Sequence, residues 1–424
     1  MKHSVVSMNS VESGITTAWN PLWHVLCPTL YFTRSFLGQS FDPHDLSKRA
    51  SLLVIVPKLF ISCFGFVFLA VGRFIELYRV IDLSGGFAHP RTISVLVGWT
   101  MLCQVTVPLM LSLEWQYYDV VRQLLSVLIN VSRATGVHRY RWKLYGMQAM
   151  WILMTVAFLL FSWLYAIISV VTERKTAMWY QLSMMYGVPY LGLVFEAWFM
   201  ILITGIPLSL AIYIETMICE FDAFNDILSQ GTRQERPPGH EEVKCLIVRH
   251  NQLRRATALL DKFTSRYILT MIKFSIPSQI LFAYTLFGES VSTAMWSMIF
   301  GGLLFELFIF MSVMWPTARL TASIAKSPGL ITEWQTIWLS DDKKLRDLTT
   351  ALYNQCSTCS GITLSGFGEP TKRFVFGLIS MSFTYLTLLL QMYEPTALHL
   401  HNITQLLDEQ YELRFGGRNH NRTS

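Results

Sequence analysis

Two carboxylates stand inside long apolar runs, Glu196 and Glu306. A charge at that depth is costly in hydrocarbon and is kept where it faces protein or a water-filled cavity. Two readings stand for each: a structural hydrogen bond, or contact with a bound small molecule. Aromatic residues in the outer halves of the same runs add weight to the second, namely Trp99, Trp163, Tyr165, Tyr190, Tyr284 and Trp296. Rings around a few polar groups make the usual small-molecule site. Trp and Tyr also gather at membrane interfaces as anchors, so any one ring is ambiguous. Cys356-Ser-Thr-Cys359 has the spacing of half a zinc site or of a redox pair. No second pair lies near it, and its loop is expected in a reducing compartment. His399-x-His401 could ligate a metal, but it belongs to a solvated tail. None of the ten histidines falls inside an apolar run, which speaks against a histidine-ligated membrane oxidase. No glycine-rich phosphate loop and no serine elbow stands out. The expectation is a protein that is not an enzyme, with no metal, no cofactor and no nucleic-acid partner.

These residues must be positioned by membrane-spanning helices. Over 424 residues, hydrophobic types make up 52% and charged types 15%, against about 25% charged in an ordinary globular domain. That much apolar surface cannot be hidden in soluble cores. The expected class is all-α, a polytopic membrane protein. Seven runs reach the ~20 apolar residues that a spanning helix needs: Ser51–Val71, Thr92–Leu113, Gly146–Val171, Met185–Ile214, Ile268–Phe287, Met295–Trp315 and Arg373–Tyr393. Pro57, Pro108, Pro207 and Pro277 sit inside spans, where prolines are tolerated. Lys58 and Lys273 can snorkel to an interface. Seven scattered cysteines do not read as a disulfide framework. The first 50 residues hold no cleavable signal pattern, so the first span is expected to act as its own anchor.

Lysine and arginine set the orientation. The N-terminal segment and the second, fourth and sixth loops carry 23, and the remaining loops with the tail carry 8. The basic side stays cytosolic, which puts the N-terminus inside and, with seven spans, the C-terminus outside. The sequons Asn402-Ile-Thr and Asn421-Arg-Thr fall in that extracellular tail as candidate glycosylation sites, whereas Asn130-Val-Ser falls in an expected cytosolic loop. The cytosolic loops carry helical stripes of their own: Ile218, Phe221, Phe224 and Leu228; then Leu246, Leu253, Leu259, Leu260 and Phe263; then Leu345, Leu348 and Leu352. Gly231–His240, with two prolines and two arginines, reads as a flexible loop tip.

The last span carries the most specific pattern. Thr384, Leu388, Gln391 and Met392 fall within about a quarter of the helix circumference, a mostly apolar stripe with one amide at its outer end. Such a face packs against another helix or lines a pore. Thr384-Tyr385, five mostly apolar residues and then Gln391-Met392 resemble the C-terminal signature of insect gustatory receptors, which is Thr-Tyr, five hydrophobics, Gln-Phe. Gly361-Ile-Thr-Leu-Ser-Gly-Phe367 is similar to that family's lead into its last helix. Met392 stands where the signature has Phe, Thr387 interrupts the hydrophobic run, and about 30 residues follow the span. In sequence the resemblance covers about 35 residues; in size and topology it covers the chain.

The resemblance implies a ligand-gated cation channel in the plasma membrane, assembled as a homo- or hetero-tetramer with related subunits and opened by a small-molecule tastant. It implies a cytosolic segment at 1–50, a six-helix ligand-binding bundle with cytosolic extensions at 51–315, an anchor at 316–372, a pore-lining helix at 373–393 and an extracellular tail at 394–424. Leu388 and Met392 would form a hydrophobic gate, with Thr384 on the same face, Gln391 at the constriction and Glu394 concentrating cations at the mouth. Ligand contacts would come from Trp99, Trp163, Tyr190, Glu196, Tyr284, Trp296 and Glu306. Two other seven-helix readings compete with this one. A G-protein-coupled receptor needs its N-terminus outside, and the chain has no Asp/Glu-Arg-Tyr at the end of the third span. A transporter favours internal repeats, and none is visible.

Overall fold

The computed structural model describes residues 120–132, 136–173, 191–233, 238–288, 293–365 and 368–391, together with isolated positions from Leu26 to Trp115. For 161–173 and 191–200 it describes the backbone alone. The elements among the described residues are helices: α1 (Val120–Ser132), α2 (Gly136–Glu173), α3 (Leu191–Arg233), α4 (His240–Gly288), α5 (Thr293–Thr332), α6 (Gln335–Trp338), α7 (Lys343–Ser357) and α8 (Lys372–Gln391). Five of them, α2 to α5 and α8, are long and apolar enough to cross a membrane. They carry the expected third to seventh spans. The expected first two are described only at scattered helical positions, among them Phe60, Trp99 and Gln104. The chain is an all-helical, multi-pass membrane protein.

The helices α3 and α4 run to 43 and 49 residues, about twice what a bilayer requires. The surplus is the stripes read from the sequence. Ile218, Phe221, Phe224 and Leu228 on α3, and Leu246, Leu253, Leu260 and Phe263 on α4, are all buried. Phe263 packs between Trp115, with ring centroids 4.2 Å apart, and Tyr213, edge-on at 5.8 Å. On α7, Leu345 and Leu352 are buried, and Asp342 caps the helix by accepting the Leu345 N–H at 3.1 Å. A carboxylate there satisfies a backbone donor that the helix start leaves unpaired.

The expected loop tip is shorter than the sequence suggests, because α3 continues through Gly231 to Arg233. Trp334 explains it. Its indole Nε1 donates to the Leu228 carbonyl at 3.0 Å, and a Cβ on Gly231 would stand 3.2 Å from its ring. The ring thus covers the end of α3, and glycine is the residue that lets it approach.

The chain divides into two compact units. One comprises Met1–Leu69, Val105–Thr270 and Met311–Lys372, and contains the packed extensions just described. The other comprises Ala70–Gln104, Met271–Phe310 and Arg373–Ser424, and contains Glu306 and α8.

Candidate functional site

In the second unit, Glu306 on α5 is fully buried. Ser275 on α4 donates its hydroxyl to Glu306 Oε2 at 3.0 Å, and Gln279 Nε2 donates to Ser275 Oγ at 3.1 Å one turn further on. Gln104 completes the group. In the amide orientation that satisfies both its ends, Nε2 donates to Glu306 Oε1 at 3.3 Å and Oε1 accepts the Ser275 backbone N–H at 3.2 Å. Both carboxyl oxygens therefore have donors, which is what makes burial of the group tolerable. Close packing surrounds it: a Cβ on Gly302, one turn before Glu306, would stand 2.9 Å from the Phe282 ring.

Three of the aromatic residues singled out by the sequence share that unit. Trp99 is half-buried, and its indole N–H has no partner among the described residues. Tyr284 is half-buried. Trp296 is exposed and stacks on Phe300 with centroids 5.1 Å apart. Trp163 and Glu196 lie on α2 and α3 of the first unit, where the backbone alone is described. Tyr190, Met392, Glu394, Asn402 and Asn421 lie outside the described residues.

On α8, Val375 and Leu386 are buried, while Phe376, Met381, Phe383, Tyr385, Leu388 and Leu389 are exposed. Leu388 is 49% exposed, and Thr384 and Gln391 on the same face are exposed as well. Thr384 and Thr387 return their hydroxyls to carbonyls one turn back, at 3.1 and 2.9 Å, so both are satisfied within the helix. A spanning helix that leaves Gln391 uncovered presents an amide that lipid cannot pair.

The first unit holds polar clusters that the sequence did not single out. Glu215, buried at the end of the expected fourth span, accepts from Lys143 of α2 and Arg319 of α5, each at 2.7 Å. Asn225 donates to the Ser323 carbonyl at 2.8 Å and accepts from the Ser327 hydroxyl at 2.7 Å, while Ser323 donates to Asp222 at 2.7 Å. His250 is fully buried against Phe224, and neither ring nitrogen has a partner among the described residues. Net charge registered Lys143 and Arg319 as loop cations. Nothing in the local sequence points either of them at Glu215, since contacts across 72 and 104 residues leave no periodic trace.

The connector before α8 is held closely. Asp261 of α4 accepts the Thr363 N–H at 2.6 Å and the Thr363 hydroxyl at 3.1 and 3.2 Å. Ile362 and Leu364, on either side of Thr363, are buried. The Leu364 N–H donates to the Gly368 carbonyl at 2.9 Å, closing a loop in which Ser365 and Gly368 take positive φ, 48° and 103°. A Cβ on Gly361 would stand 2.8 Å from Thr321 Oγ1 of α5. The Lys372 ammonium lies 5.7 Å from the centre of the Trp315 ring. Cys356 and Cys359, just upstream, are free thiols. Burial pushes them up to about 12 and about 11, far from the low-pKa setting of a reactive cysteine. Among the described residues no group of three or more His, Cys, Asp or Glu side chains is placed to hold a metal.

No family model matches the chain, and no curated protein matches it. Solved structures do. The insect olfactory receptor OR5 from Machilis hrabei is similar with a TM-score of 0.66 over 88% of this chain and 98% of that one, at 12% identity. The same receptor in complex with eugenol is similar with a TM-score of 0.65 over 87% and 99%, at 13% identity. The likeness is one of fold.

Proposed function

We propose that this chain is a subunit of a chemoreceptor channel, a tetrameric, ligand-gated, non-selective cation channel of the plasma membrane opened by a small-molecule tastant. The observation that carries the reading is α8. It is a spanning helix whose own chain buries little more than Val375 and Leu386, and it keeps Thr384, Leu388 and Gln391 uncovered on one side. Around a four-fold axis, those residues would face their counterparts. The insect-receptor fold and the Thr-Tyr signature at Thr384-Tyr385 support the same reading. Trp99, whose indole donor has no partner among the described residues, and the half-buried Tyr284 are proposed as ligand contacts. Glu306 acts as their buried support, because its oxygens are already occupied by Ser275 and Gln104. A ring of four Leu388 side chains, followed by Met392, excludes water from a narrow axis. An ion cannot cross without its hydration shell.

Expression in cells, with calcium imaging against sugars, alkaloids, amines and eugenol, tests ligand gating. Patch-clamp recording at matched surface expression tests the gate. Leu388→Ala should raise the ligand-independent cation leak, and Leu388→Ser should raise it further by removing both bulk and apolarity. The control is Phe383→Ala, exposed but about 140° around the helix from Leu388, which should leave the leak unchanged. Leu386 is unsuited as a control because it is buried. A silent Leu388 beside a leaking Phe383 variant would show that another face lines the axis.

A further inference from the structure

We infer that Asp261 is a positioning residue for the gate: its carboxylate clasps Thr363 and so holds the start of the last helix to α4. This rests on the channel reading proposed above. Three contacts hold the described part of the connector between α7 and α8 in place. Asp261 takes both the backbone and the hydroxyl donor of Thr363. Gly361 sits against Thr321 of α5 with no room for a Cβ. Lys372, the first residue of α8, lies over Trp315 of α5. Ile362 and Leu364 fill the core on either side of the clasp, so the segment cannot slide without uncovering them.

The clasp is also chemically specific. Asp261 is half-buried, and burial raises its carboxyl above the ordinary value while the Thr363 bonds pull it back down. Those donors therefore stand in for the water that burial removes. A local packing contact would be served as well by an apolar pair. Two donors from one residue converging on one carboxylate fix direction and register as well. Because α4 and α5 are continuous helices running from the expected spans into these extensions, a displacement of either helix reaches the connector without an intervening loop. A constriction of four helices is tightest when each starts at one height and one angle. Loosening the clasp lets each start vary, and the mean opening rises.

The test is the ligand-independent cation current of the full chain in cells, at matched surface expression, with the Leu388→Ala variant as reference. Asp261→Ala should raise the leak by roughly thirtyfold, the weight of two net hydrogen bonds on a two-state equilibrium. Thr363→Val, which removes the hydroxyl and keeps the N–H, should raise it less, and Thr363→Ser should restore the original value. Ser327→Ala, which removes a more deeply buried bond to Asn225 in the same unit, should leave it unchanged. If Asp261→Ala does not reach the surface, the Thr363 pair decides. A current present in Leu388→Ala and indifferent to both clasp residues overturns the positioning role alone. An equal rise in Ser327→Ala reduces it to general stability and overturns it too. No current in any variant, Leu388→Ala included, removes the channel reading and the clasp's role with it.

Discussion

Burial holds the His250 imidazole down at about 4, with the Arg254 charge adding to the effect, against 6.5 for an ordinary histidine. The unfolded chain takes up a proton here below about 6.5 and the folded chain does not. Stability is therefore complete above that value and falls as the pH drops toward 4, by up to about 3 kcal/mol. In detergent, the melting temperature should decline through this window, and His250→Leu should flatten the decline. An acid limb identical in the variant would place the sensitivity in other groups. The local sequence gives no hint of this, because a histidine four residues before an arginine looks like any solvated helix face. Glu306 is the opposite case. A carboxylate in an apolar run is conspicuous, whereas its partners Gln104 and Ser275 are common polar residues that only the fold brings together.

Helices α2, α3 and α5 each contribute one charge to a single cluster, Lys143, Glu215 and Arg319. Each charge stands within a few residues of the end of an expected span, so the cluster ties three helices where they leave the apolar layer. Glu215 is the buried member, and the two cations are partly exposed. Removing Glu215 leaves both cations without their shared partner, while removing either cation leaves the carboxylate one partner. Glu215→Ala should therefore cost roughly 1–3 kcal/mol, because it removes two charge-assisted hydrogen bonds yet leaves cations that can reach water. Lys143→Ala or Arg319→Ala alone should cost clearly less. Thermal unfolding of the purified variants checks the order, and a Lys143 variant as unstable as the Glu215 one would contradict it. Helices of this kind were largely legible in advance. Phe221, Phe224 and Leu228 repeat at helical spacing and are all buried. The short α6 was not legible, because Gln335–Trp338 is too brief for a period and is held by Trp334 and Trp338 indole bonds to carbonyls of α3 and α5.

Across the whole molecule, the distribution of 23 basic residues against 8 predicts a chain with its tail outside. Glycosidase treatment of the expressed protein should lower its mass, and substituting Gln for Asn402 and Asn421 together should abolish the shift. Asn130→Gln should leave it unchanged, since Asn130 belongs to α1 on the expected cytosolic side. A C-terminal tag reached by antibody only after permeabilisation would invert the topology and remove the proposed channel. Fold class was readable from composition and run length because both follow from the bilayer's thickness. Pairings between distant helices were not, because lipid-facing and protein-facing positions are equally apolar.

The connector has one more consequence, and it concerns descent. Gly361 is fixed by the nearness of Thr321, Thr363 by Asp261, and Gly368 by a left-handed turn. None of these demands depends on what the outer halves of the helices touch. Under the proposed function, a change of ligand would rewrite the outer halves of the helices, yet every rewritten copy would still thread this passage. Among chains that share this fold at identities as low as 12%, these few positions should be the last to drift, and the surest point from which to count residues outward.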